Sequence, residues 1–125
     1  MTLEFEKITE DIRGKILWLT SGKTKILVIE TKKGFARGGH YHNFSTKQFV
    51  AKGTIEYREE DLNTGIELIQ IFTAPDIIST SPNIPHMITA LEDSLSIEIF
   101  TTDYSATMFQ KYRAIIENRM KPMSN

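Results

Sequence analysis

Residues 34–53 read GFARGGHYHNFSTKQFVAKG, and two of the three histidines in the chain, His40 and His42, lie two residues apart directly after the glycine pair Gly38-Gly39. In a β-strand, residues i and i+2 point to the same face about 6–7 Å apart along the chain, so two imidazoles there converge on one ion or form a paired acid/base. Glycines permit the backbone to bend at a sheet rim and keep the approach to that face open. The third histidine, His86, follows the proline-bounded turn Ser81-Pro82-Asn83-Ile84-Pro85.

The surroundings of these histidines read as strands. From Lys15 onward, short apolar or alternating runs are broken by turn residues, the pattern of a sandwich or barrel. KILWLTSG and KTKILVIETKKG flank Ser21-Gly22-Lys23, and GTIEYREEDLNTGIELIQIFTA folds around Asn63-Thr64-Gly65, so both predict hairpins. DIISTS and HMITALEDSLSIEIFTT supply three further strands, and roughly eight to ten strands suit a small barrel or jelly roll.

The tail SATMFQKYRAIIENRMK changes period. Met108, Tyr112, Ile115, Ile116 and Met120 form one helical stripe, with Ser105 as the expected N-cap and Pro122 just past the end. The last residues, PMSN, are expected to fray.

With 125 residues the chain is expected to be one domain, the barrel over about 12–103 and the helix over about 105–120. Its 15 basic and 16 acidic residues give a net charge of −1 without a basic block, which argues against nucleic acid as a partner. It has no cysteine, so disulfides, thiolate metal sites and a cysteine nucleophile are excluded, and any metal must be held by nitrogen and oxygen. No run has the length and apolarity of a signal peptide or membrane span, and the expectation is a soluble cytoplasmic protein with no membrane partner.

The order of glycine-rich turn, HxH, hairpin, proline turn and histidine resembles the two motifs of the cupin superfamily, whose small β-barrels hold a metal between them. Residues 34–53 are similar to the first motif, and SPNIPHMI to the second, with Asn83 where the family has glycine; asparagine also tolerates a left-handed conformation. The resemblance implies an all-β cupin barrel with a C-terminal α-helix. It also implies a divalent metal (zinc, iron, manganese or nickel) on His40, His42 and His86, and a homodimer. One position departs from the pattern: the glutamate that cupins usually carry five residues after the second histidine is Lys47 here, followed by Gln48.

Within the cupins, TKKGFARGGHYH is similar to sugar-nucleotide 3,4-ketoisomerases, and RGGHYHNFSTKQF to the zinc-bearing cupin domain of capsular polysaccharide epimerases. That implies a small-molecule substrate, with His40 and His42 as base and ligand candidates and His86 as third ligand. Arg37, Lys47 and Gln48 are substrate-binding candidates; Arg37 either binds an anionic group by its planar fork or hydrogen-bonds backbone at the rim. Paired histidines can supply a base near neutrality and stabilise an enolate. A three-histidine ferrous dioxygenase and a non-catalytic small-molecule sensor are the alternatives. Glu56, Arg58 and Glu98 sit at alternating strand positions, either toward a cavity or toward solvent, and Trp18, Tyr41 and Tyr57 read as packing residues.

Overall fold

A computed structural model describes residues 2–101 and 105–121. The chain runs β1 (Glu4–Asp11), β2 (Gly14–Ser21), β3 (Thr24–Thr31), β4 (Ala36–Tyr41), β5 (Thr46–Lys52), β6 (Thr54–Glu60), β7 (Glu67–Thr73), β8 (Asp76–Thr80), β9 (His86–Ala90), β10 (Ser94–Phe100), β11 (Thr107–Met108) and α1 (Gln110–Met120). Two antiparallel sheets form, β1-β2-β3-β10-β5-β8 and β11-β4-β9-β6-β7, which gives the expected jelly roll. Both predicted hairpins are present, β2–β3 turning at Gly22 and β6–β7 spanning Asn63 to Gly65.

The sequence reading, which begins its strands at Lys15, misses β1. That strand is exposed along its whole length, so EFEKITED shows no buried face; its pairing with β2 is what orders it.

Helix α1 is shorter than expected. It starts at Gln110 with Phe109 as N-cap, and Ser105 does not cap it. Residues 107–108 instead pair with β4, Thr107 opposite Tyr41 and Met108 opposite His40, so the segment stays extended before the helix begins. Tyr112 and Ile116 are fully buried against Ala36 and Met87, with Ile115 and Met120 beside them, while Met108 is exposed. The expected barrel end near residue 103, Pro122 and the PMSN tail lie outside the described residues.

The inner face of the six-stranded sheet is ordered in rows across the strands. Pairing places Trp18, Leu27, Glu98, Gln48 and Ile78 in one such row. Partners opposite each other in an antiparallel ladder project to the same face, so a single row carries three apolar and two polar side chains toward the other sheet.

Candidate metal centre and cavity

Two turns bring the histidines together. In β4 the register slips between Gly38 and His40, with φ of +94° at Gly38 and +72° at Gly39. This bulge sets His40 opposite His86 of β9. The expectation that both glycines keep an approach open is corrected at Gly39, where a Cβ would lie 2.8 Å from Arg113 Cδ and 2.9 Å from Ile116 Cδ1, so this residue makes room for α1 rather than for a ligand, while Gly38 lines the cavity beneath the histidines. Asn83 takes the left-handed conformation, φ 62°, and its N–H donates to the His42 carbonyl at 2.6 Å, which ties the second motif to the first.

The candidate ligand atoms of His40, His42 and His86 all lie within 4.8 Å of one another. Two nitrogens at about 2.0–2.1 Å on a tetrahedral ion are about 3.4 Å apart, so the widest pair has no more than roughly 1.4 Å to close. Ring orientation is fixed from behind. His42 Nδ1 donates to the Ser105 carbonyl at 2.6 Å and His86 Nδ1 to the Ile84 carbonyl at 2.9 Å. A carbonyl only accepts, so Nδ1 carries the proton in both rings and Nε2 keeps the lone pair.

Burial, reinforced by His86, His42 and Arg113, pushes His40 down to about 3; burial, offset partly by the Ile84 carbonyl, pushes His86 down to about 4; and burial lowers His42. All three are neutral at pH 7, the form that binds metal. The residues fit a divalent ion, and three neutral imidazole nitrogens suit zinc, iron or nickel better than calcium, magnesium or manganese.

Below His40 and His86 lies a cavity of about 230 Å³. Arg13, Arg37 and Arg113 are on its lining, where Glu98 is the one acidic residue; Arg13 also pairs with Asp11 at 2.6 Å and Arg113 with Glu117 at 3.6 Å. Arg37 is buried, with Nε donating to Thr31 Oγ1 at 3.0 Å and Nη2 to the Glu30 carbonyl at 2.7 Å. Burial and the neighbouring Arg13 lower its pKa to about 10, and it stays charged. Its Nη1 makes no hydrogen bond among the described residues.

Of the substrate-binding candidates, Arg37 and Gln48 line this cavity and Lys47 does not. Lys47 alternates with Gln48 on β5, so it is exposed on the outer face, among Phe49, Ile77 and Ile99. The inward position at the histidine end is Thr46, which is buried and lines the cavity. Lys47 therefore does not face the histidines, and the inward residues of β5 at this end are Thr46 and Gln48.

Tyr57 and Trp18, read as packing residues, also line the cavity, and Tyr57 bonds to Thr80 at 2.9 Å and Glu59 at 3.1 Å. Glu98 faces inward, whereas Arg58 pairs with Glu67 at 3.2 Å and Glu56 does not line the cavity. Sequence reasoning misses Arg13 and Arg113. Each lies outside the histidine strands, and nothing in the local sequence brings either to the site.

No protein-family model matches the sequence, and no curated protein matches it. Solved structures do. The capsular polysaccharide assembling protein CapF of Staphylococcus aureus is similar at TM-score 0.70 and 17% identity, over 82% of this chain and 33% of that one. The oxalate decarboxylase of Lactobacillus farciminis, in a formate complex, gives TM-score 0.74 and 20% identity over 86% of this chain and 35% of that one. A variant of the Bacillus subtilis oxalate decarboxylase gives 0.74 and 16% over 90% and 34%. The chain thus spans about a third of the length of the structures it matches. No described helix is long and apolar enough to cross a membrane. With two facing antiparallel sheets, a bulged HxH strand and a histidine after the proline turn, the chain has the cupin fold.

Proposed function

We propose that this protein holds one divalent transition-metal ion on His40, His42 and His86 and moves a proton on a small anionic carbonyl compound, the keto-sugar of a sugar nucleotide. The observation that carries the reading is the cluster of three neutral imidazoles, two of which, His40 and His86, line a cavity that also has Arg13, Arg37 and Arg113 on its lining. Structural similarity to CapF supports the sugar-polysaccharide class. At about 230 Å³ the cavity is below the usual range for small-molecule sites, about 300–1,000 Å³. It has room for a sugar ring, and a nucleotide would extend past the mouth.

A divalent ion bound here would act as a Lewis acid on a carbonyl oxygen. The chain's own residues do the rest. Arg37 offers Nη1 to an anionic or hydroxyl oxygen, and the apolar walls at Ile29, Ile78 and Ile88 exclude water from the reacting carbon. The test is incubation of metal-loaded protein with keto-sugar nucleotides in deuterated water. Deuterium at the carbon beside the carbonyl is expected. Oxygen uptake with a diketone or thiol and no such exchange would favour the dioxygenase, and neither activity would favour a binding module.

A further inference from the structure

Glu98 is the anomaly of the cavity. It stands in the row Trp18, Leu27, Glu98, Gln48, Ile78, with apolar neighbours on one side and the Gln48 amide on the other. Its carboxyl forms no hydrogen bond and no ion pair among the described residues, and neither does the adjacent Gln48 amide. Both side chains point into the cavity. A half-buried carboxyl without a partner costs stability, and an apolar residue would fill the same place in the row without that cost.

We infer that Glu98 is the proton carrier of this cavity, and that Gln48 positions the same ligand group beside it. The inference rests on the proton-transfer reading above and adds the residue that takes the proton. The other titratable groups on the lining are unsuited to the task. His40 and His86 cannot accept a proton on a nitrogen whose lone pair is given to a metal. Arg13, Arg37 and Arg113 are already protonated, and the Tyr57 hydroxyl is engaged by Thr80 and Glu59 while burial raises its pKa further. Burial pushes Glu98 up to about 7, so acid and base forms coexist at neutral pH, as a residue that takes and returns a proton requires.

The substrate class is a ketone with a hydroxyl on the neighbouring carbon. A Glu98 carboxylate oxygen takes the proton from the hydroxyl-bearing carbon, the C–H pair becomes the enolate double bond, and the carbonyl π pair moves to its oxygen. After the hydroxyl proton has shifted between the two oxygens, Glu98 returns its proton to the former carbonyl carbon, and the other carbon becomes the ketone. Atoms, charge and electrons balance without an oxidant.

The experiment compares wild type, Glu98→Gln and Glu98→Asp, each loaded with cobalt(II), in deuterium exchange on keto-sugar nucleotides and on dihydroxyacetone phosphate. Glu98→Gln is expected to bind cobalt within about twofold of wild type and to lose exchange at least a hundredfold. The rise of rate with pH, centred near 7, should vanish with it. Glu98→Asp should keep that rise at a rate about tenfold lower, and it carries the test if the amide variant does not fold. Exchange at the wild-type rate in either variant overturns the inference and leaves the proton-transfer reading standing. Absence of exchange in wild type itself overturns both.

Discussion

At the residue scale, alternation along β5 decides which side chains meet the metal site. Lys47 is outward and Thr46 inward, so charge at residue 47 is separated from the histidines by the sheet itself. Lys47→Glu is therefore expected to leave cobalt or zinc affinity within about twofold, while Thr46→Glu, which adds an oxygen ligand on the inner face, is expected to tighten it about tenfold or more, roughly 1.4 kcal/mol. Calorimetric titration of the two variants checks this, and a larger effect at residue 47 than at 46 would contradict the placement. Glu98 gives a second residue-scale prediction. Its folded pKa, about 7, lies above the ordinary 4.5, so the folded form binds more protons between these values and stability falls as pH rises through that window. The cost levels off above pH 7 at no more than about 3 kcal/mol, since cavity water screens part of it. His40 and His86, shifted downward, act with the opposite sign and are common to both proteins. The melting temperature of Glu98→Gln should thus exceed that of wild type by a margin that grows from pH 5 to pH 8; a constant margin would contradict a raised carboxyl pKa.

At the scale of elements, the histidine strand and the helix are built as one unit. The φ of Gly39 and the closeness of Arg113 and Ile116 both require glycine there, whereas a Cβ added at Gly22, φ +60°, would meet nothing within 4 Å. Gly22→Ala is expected to cost about 1 kcal/mol for its backbone alone, and Gly39→Ala at least about 2 kcal/mol because α1 must also shift. Urea unfolding compares the two, and equal losses would mean that the helix does not press on the bulge. The bulge, the hairpins and the proline turn are legible in the sequence because glycine, asparagine and proline act locally. Strand β10 is not. In SLSIEIF the sequence leaves Glu98 open between cavity and solvent, and the structure turns Ser96 and Glu98 to the interior while Ile99 is exposed. Period-2 alternation gives two faces but not which is inner, and here the inner face borders a polar cavity. The start of the helix is obscured for a related reason, since pairing of residues 107–108 with β4 overrides local helical period.

At the scale of the molecule, the same alternation leaves Ile97, Phe49 and Ile77 in a row on the outer face, with Ile99 beside them. A second copy is the expected cover for this face, in line with the homodimer implied by the sequence resemblance. Light scattering at micromolar concentration should give twice the chain mass for wild type and a smaller mass for Ile77→Lys; a wild-type monomer would contradict it.

All of the proposed chemistry depends on one metal ion shared by three histidines. Cobalt(II) titration followed by visible absorption and calorimetry tests this directly. The expected result is one equivalent bound per chain, with ligand-field bands of nitrogen coordination, and an affinity loss of at least about a hundredfold in His86→Ala, roughly 2.7 kcal/mol. Failure of the wild type to bind, or equal binding by His86→Ala, would contradict it.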